Sequence, residues 1–275
     1  MRLLKSNLIF LKTLLFFLFD SLALWNVSPK KKNKFEIVLL VRQDAIGDFV
    51  LWLDTAKEYR QLYPPQKYKI ILICNALWYD LAKELLFWDE VLPVNINKFK
   101  TLSIYRWNLL KQVQNLAANI ALQPTYSREF YHGDSLVRAS NASQKVSSVG
   151  DMSNRNWLKK TLADSWHTEL IPVSLKPMTE LKRNAEFLSG ILQKKYILKY
   201  PKIEVLEAWE IIKCKKKEFY VLSLGASENC RAWPVSFYAE IAQRIYENTG
   251  WHGFVCGVNK EFDLGEQIKN ICHAP

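Results

Sequence analysis

The sequence contains few of the residues that build metal sites, disulfide frameworks or dinucleotide-binding loops. Its 275 residues include four histidines, nine glycines and five cysteines, and no two cysteines form a C-x-x-C pair. This usage argues against a zinc site or a disulfide framework and favours small buried cysteines in a reducing compartment. No cluster has metal-ligand spacing. The G-x-G-x-x-G fingerprint is also absent, which counts against a dinucleotide-binding Rossmann protein.

The sequence also has no uninterrupted apolar run of the roughly 20 residues that span a membrane. The N-terminal run at 14–19 is short, with Lys12 and Asp20 on either side. No small-x-small cleavage site follows it, and a lysine cluster at 30–34 lies beyond, which disfavours a signal peptide. We expect residues 1–34 to form an interfacial helix on the cytoplasmic face of the inner membrane. The alternative is a leading helix packed on the protein's own body.

The basic charge is unevenly distributed. The formal net charge is +11, and residues 1–34 contribute +6 of it because their seven basic residues face Asp20 alone. The remainder has no basic stripe interleaved with aromatic residues, the pattern typical of RNA-binding surfaces. We therefore expect a membrane surface, and no nucleic acid, as the partner of the basic segment.

A candidate site follows the first predicted strand. Residues 37–41 form a short continuous apolar run, which indicates a strand buried on both faces of a parallel sheet. The residues after Asp48 repeat apolar side chains at intervals of three and four, which predicts a helix. The loop at 43–47 then lies at the carboxyl end of the strand, where open α/β folds bind ligands. Asp48 is placed at the helix N-terminus, facing that crevice.

The alternation of strand and helix continues and predicts an α/β fold. Strands are predicted at 68–74, 90–94, 119–123 and 144–149, with helices at 77–87 and 101–118. These elements define a first Rossmann-like domain over 35–175. The polar loop at 125–135 follows a strand, so Arg128 and His132 are expected to face the same crevice as Asp48.

The pattern restarts after a charged, irregular stretch. A helix at 176–193 and the residues up to 218 are predicted to form a helical linker region. After the linker, the alternation of strand and helix resumes. It predicts a buried strand at 219–224, a loop at 225–232, helices at 235–248 and 260–272, and a strand at 253–257. Trp233 and Pro234 precede the first of these helices, with proline near its first turn. Residues 219–275 thus form a second Rossmann-like domain, with a sheet of two strands.

Two motifs resemble those of glycosyltransferase family 9, the lipopolysaccharide heptosyltransferases. The first is R-x-x-AIGD, at 42–48, and the second is strand-GAS-x-x-x-[KR]-x-WP-helix, at 225–234. Smaller matches lie between the two motifs: Pro124 with Ser127 and Arg128, Gly150 with Asp151, and His167 followed by Glu180, Arg183 and Asn184. The resemblance runs from about residue 36 to 271. It implies a GT-B fold, with acceptor on the N-terminal domain and nucleotide-sugar on the C-terminal domain.

The resemblance also implies a reaction. It is the inverting, metal-independent transfer of a heptose-like sugar from a nucleotide-sugar such as ADP-heptose to a lipid-linked, lipopolysaccharide-type acceptor, without a cofactor. Asp48 is the implied base, with Asp44 as the alternative within the loop. A competing explanation makes Asp48 only a first-turn residue that favours the helix dipole. Arg128 and Asp44 are expected to bind the acceptor, although a structural ion pair explains Arg128 equally well.

The second motif is expected to hold the leaving diphosphate. Arg231 can bind two phosphate oxygens, and Gly225 and Ser227 can add backbone and hydroxyl donors. A solvated surface arginine is the alternative for Arg231. Neither His132 nor His167 is expected to act as an acid or base.

The resemblance breaks off within the second domain. The family continues with further β-α units, which carry acidic residues for the donor's sugar and ribose, whereas this sequence ends after two strands. We therefore expect an incomplete second domain, an exposed sheet edge and little activity of the isolated chain. The alternative function is a truncated or degenerate relative without catalysis, acting at most as a membrane-associated binding module.

Overall fold

The computed structural model describes residues 2–25, 34–202, 218–226 and 229–273. The chain divides into two compact units, Met1–Ile203 and Glu204–Pro275, and each contains a parallel sheet. The predicted α/β class with two parallel sheets is confirmed. Most of the lysine cluster at 30–34 lies outside the described residues, and so does Ser227 of the second motif.

The first unit is built on a six-stranded sheet in the order β3-β2-β1-β4-β5-β6, and every neighbouring pair is parallel. The strands are β1 (Glu36–Arg42), β2 (Tyr68–Asn75), β3 (Glu90–Val94), β4 (Ile120–Gln123), β5 (Gln144–Ser148) and β6 (Glu169–Ile171). The chain moves outward from β1 to β3, then returns to the other side of β1 with β4. Such a reversal opens a crevice at the carboxyl ends of β1 and β4, the usual ligand site of this fold.

Helices cover both faces of this sheet. They are α2 (Ile46–Ala56), α3 (Glu58–Leu62), α4 (Tyr79–Lys83), α5 (Ile96–Phe99), α6 (Ile104–Asn115), α7 (Ser135–Ala139), α8 (Trp157–Asp164) and α9 (Glu180–Leu192). In β1, Val38 and Leu40 join one buried cluster with Phe49 and Trp52. Leu39 joins the other cluster, since successive side chains of a strand point to opposite faces. The predicted two-sided burial of β1 is confirmed.

Helix α9 belongs to the first unit, although the sequence placed it in a linker region. It packs against α2, and Phe187 and Leu188 are buried in the same cluster as α2. The division between the units, at 203–204, falls later within the predicted interval of 176–218. The linker interval thus contains a helix of the first core.

A leading helix, α1 (Arg2–Leu24), precedes the sheet and packs on the first unit beside α6. Over Asn7–Leu24, α1 is long and apolar enough to cross a membrane, judged by length and composition alone. It is the one helix of this kind among the described residues. Its inner side buries Thr13, Phe16, Asp20 and Ala23. The helix therefore packs on the protein body, and its predicted contact with a membrane surface stays a prediction.

The second unit has a sheet of β7 (Phe219–Ser223) and β8 (His252–Cys256), with α10 (Val235–Thr249) and α11 (Phe262–Ile271). The prediction of a buried strand at 219–224 is wrong for most of its side chains, because Phe219 and Val221 are exposed and only Leu224 is buried. Leu224 packs with Ala239 and Ile268. This buried cluster has far fewer residues than the two clusters of the first unit. The prediction of buried cysteines is confirmed for Cys74, whereas Cys230 and Cys256 are exposed.

Candidate active site

The crevice at β1 and β4 brings together a buried arginine and the two aspartates of the first motif. The Arg42 side chain is fully buried at the end of β1, and its Nε lies 2.6 Å from Asp44 Oδ2. Its Nη2 lies 2.7 Å from Glu180 Oε1, and its Nη1 donates to Asn184 Oδ1 at 2.9 Å. Burial alone disfavours the charged guanidinium, but Asp44 and Glu180 outweigh burial and raise the pKa of Arg42. Arg42 thus ties the motif loop to α9.

Asp48 is the third residue of α2, and Ala45 is the N-cap of that helix. Partial burial and the neighbouring Asp44 carboxylate raise the pKa of Asp48 above that of an ordinary aspartate, against the opposing effects of Arg42 and of a hydrogen bond from the Ala45 backbone. Arg42 Nη2 also approaches the Asp48 carbonyl oxygen, at 3.5 Å. A carboxylate whose pKa is shifted toward neutrality is a stronger proton acceptor. The helix-dipole explanation predicts a shift in the opposite direction.

A small polar cavity of about 40 Å³ adjoins the motif loop. It is lined by Val41, Gln43, Asp44, Gln123, Thr125, Ser127, Glu129, His132 and Gly133. Asp44 accepts a hydrogen bond from Thr125 Oγ1 at 3.1 Å, which joins the loop after β1 to the loop after β4. The buried Gln43 Oε1 has no hydrogen-bond partner in the described part of the chain. The cavity therefore offers two carboxyl groups, from Asp44 and Glu129, and one unsatisfied amide oxygen.

Burial keeps His132 neutral in this cavity. Burial, together with the Arg106 and Lys100 charges, lowers the pKa of His132 to about 4. Similarly, burial and Arg128 lower the pKa of His167 to about 3. Both imidazoles are neutral near neutral pH, and His167 Nδ1 lies 2.8 Å from the Ala163 carbonyl oxygen, which can only accept a hydrogen bond. The absence of an acid or base role for either histidine stays a prediction.

Arg128 does not line the cavity, contrary to the sequence expectation. Its side chain is fully buried, with Nε 3.4 Å from Asp134 Oδ1 and Nη2 in contact with Asp164. Arg155 shares both carboxylates, at 3.5 Å from Asp134 and 3.7 Å from Asp164. The structural ion pair that the sequence left open is thus the arrangement found. The side chain holds the loop after β4 against α8 and is not available to an acceptor at the surface.

Trp78 anchors the motif loop from the other side. Its indole N–H donates to the Asp44 carbonyl oxygen at 2.9 Å, and its ring stacks on Phe49 at 3.9 Å between centroids. The side chain is 1% exposed. Asp44 is therefore fixed through its backbone by Trp78 and through its side chain by Arg42.

The second motif occupies the loop between β7 and α10, as predicted. Gly225 follows β7, Arg231 lies in a short 3₁₀ turn (Asn229–Arg231), and Pro234 is the N-cap of α10. Gly225 and Arg231 are exposed. The unit thus places a glycine loop and an arginine before a helix N-terminus, an arrangement that binds phosphates.

The sequence did not single out Glu261, which lies in the same unit. Its carboxylate accepts from the Val258 backbone N–H at 2.9 Å, and it lies so close to Gly257 that a Cβ there would approach Oε2 to 2.7 Å. A Cβ on Gly225 would approach its Oε1 to 3.2 Å. Because Gly225 and Gly257 have no Cβ, the Glu261 carboxylate can lie between the carboxyl ends of β7 and β8. In the described part of the chain, no group of three or more His, Cys, Asp or Glu side chains could hold a metal ion.

No protein-family model matches the sequence, and no curated protein matches it. Among solved structures, the chain is similar to a glycosyl transferase family 9 protein from Veillonella parvula DSM 2008, with a TM-score of 0.66 and 12% identity over 90% of this chain and 70% of that one. For E. coli heptosyltransferase WaaC with ADP-2-deoxy-2-fluoro heptose, the TM-score is 0.63, with 14% identity over 84% and 72% of the two chains.

A third solved structure, E. coli ADP-heptose lps heptosyltransferase II, matches with a TM-score of 0.57 and 16% identity, over 85% of this chain and 68% of that one. Identities this low establish similarity of fold. The resemblance to glycosyltransferase family 9, predicted from two short motifs, is confirmed at the level of the fold.

Proposed function

We propose that the protein is an inverting glycosyltransferase in which Asp48 is the base. Its carboxylate takes the proton of an acceptor hydroxyl while that oxygen bonds to the anomeric carbon of the donor. The bond from this carbon to the diphosphate breaks, and the nucleoside diphosphate leaves with the bonding electrons. The observation that carries the proposal is the position of Asp48, which lies in the first turn of α2 directly after the Asp44 loop at the carboxyl end of β1, with Arg42 Nη2 3.5 Å from its carbonyl oxygen.

The donor is proposed to be a nucleotide-sugar bound by the second motif. Negative charge grows on the leaving diphosphate, and the Arg231 guanidinium with the Gly225 backbone and Ser227 would stabilise it. Two structures of one similar enzyme, E. coli heptosyltransferase WaaC, are described with ADP and with ADP-2-deoxy-2-fluoro heptose, so ADP-heptose is the first donor to test. The transfer needs no metal and no cofactor beyond this donor.

The acceptor is proposed to be a lipid-linked saccharide of lipopolysaccharide type. Sugar hydroxyls can donate to the Asp44 carboxylate, which lines the cavity and is 22% exposed. Because Asp44 already pairs with Arg42, its role is to orient the acceptor, while the less engaged Asp48 takes the proton.

The experiment is turnover of ADP-heptose by the full chain and by Asp48→Asn. Loss of general-base catalysis is expected to lower kcat by about 10²- to 10⁴-fold. Asp80→Asn is the matched control, because Asp80 is also a first-turn carboxylate, on the exposed surface of α4. Equal turnover by Asp48→Asn and the parent chain would reject Asp48 as the base. Donor binding without any turnover by the parent chain would support the non-catalytic binding module instead.

A further inference from the structure

Helix α1 presents the reverse of the side-chain arrangement found on helices that face water. Its buried positions include Thr13 and Asp20, whereas nearly all of its exposed positions are large and apolar. The exposed apolar residues, called here the leucine face, are Leu8, Ile9, Phe10, Leu11, Leu14, Leu15, Leu18, Leu22 and Trp25. A water-facing helix buries its apolar side and exposes its polar side. A continuous apolar patch of this size marks an interaction surface.

The inward face of α1 is fixed by a saturated polar cluster. Asp20 accepts two hydrogen bonds from Arg106, at 2.7 Å from Nε and 2.5 Å from Nη2. Arg106 also donates to the carbonyl oxygens of Phe99 and Tyr131, at 2.9 and 2.7 Å. Arg138 donates to Ser21 Oγ at 2.7 Å. Because these bonds fix the rotation of the helix about its axis, the leucine face cannot turn inward.

The contacts also fix the direction of the helix. They extend from Thr13, whose Oγ1 lies 3.2 Å from the Tyr131 hydroxyl, to Leu24, whose carbonyl oxygen accepts from Gln114. Half of α1 thus lies along the surface of the first unit. A helix held in this way cannot cross a bilayer without carrying Arg138 and Gln114 of the protein body into it. The geometry therefore fits a helix that lies in the membrane interface.

Charge identifies the partner. Asp20 is the only acidic residue among residues 1–34, and it is neutralised by Arg106. All other ionisable side chains of that segment are basic, and Trp25, at the end of the helix, is 80% exposed. Tryptophan at a helix end and an excess of basic residues in the sequence around an apolar helix are typical of contact with anionic lipid. We propose that the leucine face of α1 binds an anionic bilayer surface while its inward face stays on the first unit.

The position of α1 also favours one class of acceptor, a conclusion that rests on the proposed function. The turn Phe130–Asp134 contacts α1 through Tyr131, whose ring lies 4.5 Å from that of Phe16. The same turn lines the cavity beside Asp44 through His132 and Gly133. A bilayer bound by α1 is therefore one structural layer from the cavity, and a lipid-anchored acceptor is the substrate class that this arrangement favours.

The experiment is sedimentation of the full chain with vesicles of phosphatidylcholine, with and without phosphatidylglycerol. The parent chain is expected to bind the anionic vesicles and to be released by alkaline carbonate, as a peripheral protein. The double variant Leu14→Glu, Leu18→Glu is expected to bind about tenfold more weakly or worse, because two carboxylates enter the apolar contact. The matched control is Leu175→Glu, at a 96% exposed leucine outside α1, with unchanged binding.

Three outcomes would overturn the proposal. They are absence of binding by the parent chain, equal binding by the double variant, and retention after carbonate with protease access to both ends of α1. A parent dimer that becomes monomeric in the double variant, without vesicle binding, would assign the face to a second copy. Asp48→Asn is expected to bind vesicles as the parent does, so vesicle binding and turnover can fail independently.

Discussion

At the scale of single residues, the charges around Asp48 determine how readily it accepts a proton. Asp44 is one of the two causes that raise the pKa of Asp48. Removing that negative charge in Asp44→Asn is therefore expected to lower the pKa of Asp48. Because activity requires the ionised base, the acid limb of the kcat/KM profile for ADP-heptose moves to lower pH. The measurement is kcat/KM from acidic to neutral pH in both proteins.

The control for this profile is Asp80→Asn, whose acid limb should match that of the parent chain. An acid limb that stays in place, or moves to higher pH, in Asp44→Asn would contradict the assignment of Asp48 as the titrating base. A loss of acceptor affinity is expected as well, since Asp44 lines the cavity. It would appear in KM, separately from the pH profile.

The positions of Asp44 and Asp48 along the chain were predictable, because the strand before them and the helix after them are strongly patterned. Asp44 lines the cavity, Asp48 is not among its lining residues, and the role of Asp48 as base stays a prediction. The environment of Arg128 was not predictable, because its partner Asp164 is 36 residues away. Glu180 was noted as a motif match, but its contact with Arg42 spans 138 residues. Local pattern fixes which loop carries a side chain, and tertiary contacts decide whether its charge is free.

At the scale of elements, the docking of α1 depends on one buried ion pair. Asp20→Ala leaves the Arg106 guanidinium buried without its carboxylate, which typically costs about 3–5 kcal/mol. We expect α1 to detach from the first unit and to become sensitive to protease. The measurement is limited proteolysis together with chemical denaturation of the first unit.

Ser21→Ala is the control for this element. It removes the hydrogen bond from Arg138 and the one that Ser21 Oγ donates to the Phe17 carbonyl oxygen, and each is expected to contribute about 1 kcal/mol, with α1 still protected. Equal protection of α1 in Asp20→Ala and the parent chain would show that apolar contacts alone hold the helix.

The elements that the sequence missed are short or at an edge. Strand β6 has three residues and pairs only with β5 among the described strands, so it has little periodicity to detect. Helix α8 was not predicted, although its Lys160 and Asp164 complete the cluster around Arg128. The helix predicted at 77–87 is shortened to α4 because Trp88 turns back into the core and donates to the Ala82 carbonyl oxygen.

At the scale of the whole molecule, the two units differ in the size of their cores. The sheet of the first unit is covered on both faces, whereas the buried cluster in the described part of the second unit consists of Leu224, Ala239 and Ile268. Amides with little buried apolar surface around them open at lower free energy. We expect the amide hydrogens of β7 and β8 to exchange at least about 100-fold faster than those of β1 and β2, as measured by hydrogen–deuterium exchange.

The internal control for exchange is β3, an edge strand of the first sheet, which should be intermediate. Equal protection of β8 and β1 would contradict the assignment of lower stability to the second unit. The two parallel sheets themselves were predictable, because apolar runs alternate with helical periodicity in both. The exposure of Phe219 and Val221 was not, since an apolar run does not reveal how many layers cover it.

Trp78 gives the candidate site a built-in optical reporter. Its indole is shielded from water, stacked on Phe49 and bonded to the backbone of Asp44, so its emission should lie at short wavelength. A ligand that moves the loop after β1 would break or lengthen that bond and shift the emission. Trp78→Phe would remove this contribution and so identify it among the ten tryptophans. Binding at the cavity could then be followed by light, before any substrate is known and without a label.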